Sequence, residues 1–200
     1  SRSEESSGAV SQQLINASAK VTQIQSEITR EINVIATKNT FVESNSNSTS
    51  ELLNKLQVLR EDLKTEIEQE LLEVEMRDQA IYIRVDSEDS FTSGSADLRP
   101  NFELLLAEIA RSVAGMTRSI SIEGHTDNMP ISFQERFQSN WDLSAARASS
   151  VASVLMIQPG LDDVAYEVLG FADTVPIATN DTSAGRSQNR RIEIRMADFK

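Results

Sequence analysis

The chain lacks cysteine entirely and contains one histidine, His125, among its 200 residues. The absence of cysteine excludes disulfide bonds, cysteine-ligated zinc, iron–sulfur clusters and thiol catalysis. A single imidazole excludes a histidine-rich metal site and leaves one place for a Ser-His-Asp triad. We expect no metal site and no cofactor. Aromatic residues make up only 5% of the chain, which argues against a surface that stacks nucleic acid bases.

Basic residues are also in short supply, with 19 against 31 acidic ones and a net charge of −12. A negative field of this size repels phosphates and anionic lipids, so nucleic acid is not an expected partner. The longest apolar runs are far shorter than the roughly 20 residues that a membrane span needs. The chain begins at Ser1 without a start methionine, and we expect it to be a piece of a longer protein, either cut by design or processed.

Apolar residues in the first 50 positions recur at alternating steps of mostly 4 and 3, which predicts a helical seam. They are Val10, Leu14, Ala17, Val21, Ile24, Ile28, Ile32 and Ile35. The Ser, Asn and Thr residues between them lower the helix propensity. Residues 39–50 are dominated by Asn, Ser and Thr and are typical of a linker. Residues 1–50 are therefore interpreted as a helical or flexible linker region.

Residues 51–79 carry a stronger helical pattern, preceded by Ser50 as a plausible N-cap. The apolar stripe is formed by Leu52, Leu56, Leu59, Leu63, Ile67, Leu71 and Val74. Residues 51–79 also contain nine acidic and four basic residues. The pattern predicts an amphipathic stalk helix over 51–79. Its stripe packs either against the domain that follows or against a second copy of the chain, and the sequence leaves both readings open.

From residue 80 onward the apolar periodicity changes to 2, which predicts strands. The strands are expected at 81–85, 118–123, 164–169 and 191–196, with helices at 102–113 and 140–157 between them. Alternating elements of this kind give an α+β fold, an α/β sandwich with a mixed sheet of about four strands and helices on one face. Residues 80–200 are long enough to bury a core of their own.

Polar residues follow the second of these strands, in the run from Glu123 to Asn128. Ligands bind at strand ends in α/β sheets. Asn140, Ser144 and Arg147 lie at positions i, i+4 and i+7 of the next helix and so share one face. We expect Asp127 at the strand end and Arg147 on that helix to point into one groove.

These residues belong to a series of blocks that resembles the OmpA-like peptidoglycan-binding domain over roughly 80–200. The blocks are Gly124-His125-Thr126-Asp127, Leu143-Ser144-Ala145-Ala146-Arg147-Ala148, Gly170, Pro176, Asn180, Gly185-Arg186 and Asn189-Arg190-Arg191. Each block is weak alone, but their combination and order are specific. The block at 139–144 and the long loop at 129–138 resemble the B subunits of flagellar motor stators, the MotB/PomB family. Within it the resemblance is closest to the PomB branch of sodium-driven motors.

The resemblance implies a ligand, the diaminopimelate of the peptidoglycan stem peptide, and no catalysis. It assigns the binding of this group to Asp127 and Arg147, with Thr126, Asn140, Leu143 and Ser144 lining the same groove at 126–147. Arg190 is a further candidate for a supporting role. Diaminopimelate ends in an ammonium beside a carboxylate, so Asp127 can accept from the former and the Arg147 fork can clamp the latter.

The resemblance also implies a cellular setting. The domain is expected in the periplasm, with the full-length protein held in the inner membrane by an N-terminal helix that precedes this chain. Implied partners are peptidoglycan, a stator A subunit of the PomA/MotA type, a second copy in a homodimer, and basal-body ring proteins of the flagellum. The stalk would set the reach of the anchor and regulate its activation around the rotor.

Simpler readings remain open for each of these residues. Asp127 can cap a turn, and Arg147 can form a structural ion pair with it. Arg190 can hold the preceding loop, while His125 and Trp141 fit structural or packing roles.

Two other functions also remain open. One is a general cell-wall tether of an outer-membrane protein or lipoprotein. The other is a wall hydrolase that uses Asp127 or Glu123 with His125. The hydrolase is disfavoured, because the sequence offers no evident pair of acids for glycosidase chemistry.

Overall fold

The computed structural model describes residues 20–34, 49–131 and 136–199. Helix α1 spans 20–34, and its seam residues Val21, Ile24, Ile28 and Ile32 are exposed. The rest of the predicted seam, and most of the predicted linker, lie outside the described residues. Residues 51–200 form a separate compact unit.

Six helices and five strands follow α1 in the described residues. The helices are α2 at 49–62, α3 at Lys64–Glu68, α4 at Ser87–Ser90, α5 at Pro100–Val113, α6 at Asn140–Leu155 and α7 at Ser183–Asn189. The strands are β1 at Glu73–Arg77, β2 at Ala80–Asp86, β3 at Thr117–His125, β4 at Ala165–Ala172 and β5 at Arg191–Phe199. Within the described ranges, no helix combines the length and the apolar character needed to cross a membrane.

The strands form one mixed sheet in the order β1-β2-β5-β3-β4. Strands β3 and β4 are parallel, and every other neighbouring pair is antiparallel. The predicted α+β fold with a mixed sheet is confirmed, but the sheet has five strands rather than about four. The additional strand, β1, lies at an edge.

The prediction of one helix over 51–79 is wrong, because strand β1 lies within this range. Helix α2 ends at residue 62 and the short helix α3 ends at Glu68. Val74 and Met76 pair instead with Ile83 and Ile81 of β2. Val74 fits a helical step from Leu71, but it also alternates with Glu73 and Glu75 at the period of a strand. Pairing with a buried neighbouring strand decides between the two patterns, because tertiary packing overrides local propensity.

The leucine stripe packs against the domain that follows it. Leu52, Leu56, Leu59 and Leu63 are buried in the same apolar cluster as the strands. The Arg60 guanidinium donates to the Val74 carbonyl through Nε at 3.1 Å and Nη2 at 2.7 Å. The compact unit therefore begins about 30 residues before the expected boundary at 80, at Glu51.

The two faces of the sheet differ in chemistry. One face is apolar and shares a buried cluster with α5 and α6; its central residues are Ile81, Ile83, Ile120, Ile122, Ile192 and Ile194. The opposite face carries a network of ion pairs centred on Glu193, which is 1% exposed. Its carboxylate lies 2.7 Å from Arg191 Nε and 2.8 Å from Arg77 Nη2.

Two paired glycines bring α6 unusually close to the apolar face. Gly124 of β3 is the register partner of Gly170 of β4. A methyl group at Gly124 would overlap the Ser144 carbonyl, and one at Gly170 would overlap the Ala145 backbone nitrogen. Ser144 Oγ accepts from Ala172 N at 3.1 Å, which ties the helix to β4. Helix α6 therefore rests directly on the two strand backbones.

We expect Gly124→Ala to lower the free energy of unfolding by about 2 kcal/mol or more, because the added methyl forces helix and sheet apart. Urea unfolding of the purified chain measures the change. Ser153→Ala, on the exposed side of α6, is the control and should change stability by less than about 0.5 kcal/mol. Equal stability of Gly124→Ala and the unmodified chain would contradict the close approach.

The Glu193 network predicts a loss of stability in acid. Burial alone would raise the pKa of Glu193, but Arg191 and Arg77 outweigh it and lower the pKa from its ordinary 4.5 to about 2. Because the folded-state pKa is the lower one, the contribution is present above about pH 4.5 and is lost as pH falls toward 2.

Urea unfolding between pH 7 and pH 2 should therefore show that Glu193→Gln is destabilised at neutral pH and loses less stability in acid than the unmodified chain. Glu103→Gln, which alters an exposed carboxylate on α5, should leave the acid dependence in place. The prediction fails if the Glu193 and Glu103 variants have the same pH profile.

Candidate functional site

A groove of about 380 Å³ lies at the C-terminal end of β3. Three parts of the chain form its walls: the loop after β3, the first half of α6, and the segment 87–99 between β2 and α5. Arg190, just before β5, completes it. The lining residues are Ser87, Glu88, Phe91, Ser93, Gly94, Arg99, Thr126, Asp127, Met129, Pro130, Ile131, Phe137, Asn140, Leu143, Arg147 and Arg190.

Asp127 combines a turn cap with an ion pair. Its side chain is largely buried. Oδ1 accepts from Met129 N at 2.9 Å, and Oδ2 accepts from Arg190 Nη1 at 2.7 Å. The capping role considered from the sequence is therefore present, together with a charged partner on the groove.

Arg147 is the buried cation of the groove. Its Nε donates to the Ser95 carbonyl at 2.9 Å, and its guanidinium carbon lies 4.9 Å from the centre of the Phe91 ring. Burial and the nearby Arg190 lower the pKa of Arg147 to about 10, so it stays charged at neutral pH. Within the described part of the chain, neither terminal nitrogen of Arg147 has a hydrogen-bond partner. Arg147 is thus positioned on one side and retains free donors at the groove.

Arg190, and not Arg147, forms the structural ion pair with Asp127. In the described residues no ion pair joins Arg147 to Asp127; Arg190 instead bridges Asp127 and Glu88, with Nη2 2.8 Å from Glu88 Oε2. Burial alone would lower the pKa of Arg190, but its hydrogen bonds to the two carboxylates outweigh this and raise it. Arg190 therefore links the segment 87–99 to the loop after β3.

Three other candidate residues also line the groove. Asn140 Nδ2 donates to the carbonyls of Asp127 at 3.2 Å and Met129 at 3.0 Å, which fixes the loop after β3. Thr126 Oγ1 donates to the Asp127 carbonyl at 2.9 Å. Leu143 contributes an apolar, nearly buried side chain. The polar atoms of Asn140 and Thr126 support the loop, and all three side chains border the groove.

Ser144 does not border the groove, although it shares a helix face with Arg147 in the sequence. It is fully buried, and its Oγ donates to the Trp141 carbonyl at 3.0 Å while accepting from Ala172 N. The reason is the close contact of α6 with the paired glycines, which encloses Ser144 between helix and sheet. Trp141 itself is 52% exposed, so it is not a core residue.

The long loop after β3 adds an apolar wall. Met129, Pro130, Ile131 and Phe137 border the groove. Arg136 Nη1 donates to Ser95 Oγ at 3.0 Å and reaches the segment opposite. The loop thus contributes surface as well as length.

The segment 87–99 was not predicted to be part of the site. This segment has no helical or strand period, and its contacts join residues far apart in the chain. One local signal was present in the sequence: an Asp at position 86 is typical of the N-cap of a helical turn. In the structure Asp86 accepts from Glu88 N at 2.7 Å. That signal indicates a turn but not its position beside Arg190.

His125 lies on the charged face of the sheet and does not line the groove. It stacks on Phe171 with ring centres 5.2 Å apart, and neither ring nitrogen has a hydrogen-bond partner among the described residues. Burial and Arg191 lower its pKa to about 4, so the imidazole is neutral. It is therefore a buried stacking residue rather than a hydrogen-bonded one.

The potential ligand atoms of His125, Glu123 and Glu193 lie within 4.8 Å of one another. Both oxygens of Glu193 already accept from arginines, however, through Arg191 and Arg77. Two guanidinium groups at these oxygens oppose a metal cation. The cluster is therefore better described as part of the ion-pair network.

Comparison with known proteins matches residues 90–190, about half of the chain, to the OmpA family. Motility protein B of Bacillus subtilis is 40% identical over 124 residues, 62% of this chain and 47% of that protein. The chain thus spans about half the length of this relative. The outer-membrane lipoprotein YfiB of Pseudomonas aeruginosa is 36% identical over 121 residues, 60% of this chain and 68% of that protein.

Solved structures agree with these relatives. The cell wall anchor of the T6SS from Pseudomonas aeruginosa has a TM-score of 0.63 at 34% identity and covers 70% of this chain and 96% of that one. The periplasmic domain of Helicobacter pylori MotB has a TM-score of 0.53 at 27% identity and covers 64% of this chain and 82% of that one. The matched blocks, the shared fold and the groove at the end of β3 lead to one conclusion: this chain belongs to the OmpA family.

Proposed function

We propose that the groove binds the diaminopimelate of the peptidoglycan stem peptide and that the domain is a non-catalytic anchor. The observation that carries the proposal is the state of Arg147, which is buried, charged and oriented by Ser95 and Phe91. Its terminal nitrogens are left to bind a carboxylate in parallel. Asp127 supplies the negative charge that the neighbouring ammonium requires.

A single site of this kind binds weakly, but several sites engaged together bind strongly. Each charge-assisted hydrogen bond contributes on the order of 1.5–3 kcal/mol. Two anchors and a few neutral contacts correspond to roughly micromolar to millimolar affinity. The cell wall presents many stem peptides, so a dimer that engages two of them gains through effective concentration.

The anchored machine in this proposal is a flagellar stator, and the chain is part of its B subunit. Similarity to proteins named motility protein B supports this role. The finer assignment is a sodium-driven motor of the PomB type, as a homodimer in the inner membrane with a PomA/MotA-type A subunit and with basal-body ring proteins nearby. The groove would then lie in the periplasm.

Cell-wall binding should depend on two charged residues of the groove. Asp127→Ala and Arg147→Ala should each reduce co-sedimentation with purified diaminopimelate-type sacculi at least about tenfold, since each removes a charge-assisted contact. Arg111→Ala, which alters an exposed arginine paired with Glu108 on α5, is the control and should bind like the unmodified chain. Circular dichroism establishes that the variants are folded.

Unchanged binding by folded Asp127 and Arg147 variants would reject this site. Release of soluble muropeptides from the sacculi would instead indicate a hydrolase.

We also propose that release of α2 from the domain extends the anchor. Lys55 Nζ lies 5.9 Å from the Phe199 ring, so the two side chains face each other across α2 and β5. This chain has no cysteine, so Lys55→Cys with Phe199→Cys adds the only two cysteines of this segment, and any cysteine elsewhere in the full-length protein is replaced by serine. Linking them with a short bis-maleimide should abolish swimming, while each single-cysteine variant should swim normally after the same treatment. Normal swimming with efficient cross-linking would oppose the proposal.

A general cell-wall tether is the second candidate function. It is favoured by the similarity to a lipoprotein and to a protein described as a cell wall anchor. The sequence upstream of this chain discriminates between the two. A single membrane helix that carries an Asp indicates a stator, whereas a lipidation cysteine indicates a tether.

A further inference from the structure

Glu88 places a second carboxylate on the groove, opposite the loop that carries Asp127. Its Oε2 accepts from Arg190 Nη2 at 2.8 Å and from Ser187 Oγ at 3.1 Å. No donor bonds its Oε1 within the described ranges, and the side chain is 62% exposed. The hydrogen bond from Arg190 lowers the pKa of Glu88, so the group is ionised at neutral pH. Glu88 thus offers a charged acceptor at the open part of the groove.

Asp127 is less available than Glu88. Each of its oxygens already accepts a hydrogen bond, one from Met129 N and one from Arg190. Its side chain is 10% exposed. A ligand ammonium that approached Asp127 alone would have to share both oxygens with donors already in place.

Ser87 adds a neutral acceptor beside Glu88. It lines the groove, is almost fully buried, and its Oγ has no hydrogen-bond partner in the part of the chain that the structure describes. Buried hydroxyl groups are normally hydrogen-bonded. An unpartnered one next to a carboxylate is a place where a ligand donor lowers the energy of the site.

We propose that Glu88, with Ser87, forms the ammonium subsite of this groove. A ligand with an amino group and a carboxylate on the same carbon would place the carboxylate on Arg147 and the ammonium on Glu88 Oε1. Asp127 would hold Arg190 between the two carboxylates and add its negative charge beside the ammonium. The inference rests on the proposed function, since it assumes a zwitterionic ligand terminus, and it adds residues that determine selectivity for the free amine.

The competing reading is that Glu88 only positions Arg190. Both readings predict weaker binding when Glu88 is changed, so loss of affinity alone does not separate them. A ligand that lacks only the ammonium does separate them. If Glu88 bonds the ammonium, removal of both groups costs no more than removal of either, because they act as one pair.

The test uses a soluble diaminopimelate-containing muropeptide and the same compound acetylated on its free distal amine, titrated by NMR. For the unmodified chain we expect acetylation to weaken binding at least tenfold. Glu88→Gln should bind the free-amine compound at least tenfold more weakly and should respond less than threefold to acetylation. Asp89→Asn, a neighbouring carboxylate that does not line the groove, should behave like the unmodified chain.

The outcomes separate this inference from the proposed function. Full affinity of Glu88→Gln, or a full tenfold response to acetylation in that variant, would overturn the ammonium subsite while leaving the anchor intact. Failure of the unmodified chain to bind the free-amine muropeptide, or normal binding by Arg147→Ala, would overturn both. Glu88 is exposed, so its variant should fold, and a thermal unfolding curve of each variant verifies this.

Discussion

The contact of α6 with the backbones of β3 and β4 is the constraint on which the groove depends. Side chains normally separate a helix from the sheet on which it packs, but here Gly124 and Gly170 have none at the crossing point. The first turns of α6 therefore lie beside the end of β3. That proximity brings Arg147 and Asp127, 20 positions apart in the chain, to one groove without any direct bond between them.

Ion pairs and a hydrogen bond then hold the remaining walls of the groove together. Arg190 joins the loop after β3 to the segment that follows β2, and Arg147 bonds that segment through the Ser95 carbonyl. Each arginine thus has a structural bond as well as a position on the groove. The cations are held by groups of the protein before any ligand arrives, so little side-chain freedom is left to lose on binding.

The sequence predicted those elements whose apolar residues follow a single periodicity, either that of a strand or that of a helix. Alternation gave the four longer strands, and helical spacing placed Asn140 and Arg147 on one face. Strand β1 was missed because Val74 satisfies both periods, and only its partner Ile83 decides between them. Ser144 was wrongly predicted to line the groove, because its burial depends on Gly124 of β3 and Gly170 of β4. Glu88 was missed because its importance comes from Arg190, about 100 positions later, and no local pattern contains that contact.

The edge position of β1 has a mechanical consequence. A pull applied from the N-terminal side reaches α2 and then β1, which hydrogen-bonds to β2 alone in the sheet. Strand β3, which ends at the groove, is bonded on both sides by β5 and β4. Under load, the edge strand and its leucine-rich helix would yield before the centre of the sheet. The domain could therefore lengthen at its N-terminal side while the groove kept its shape.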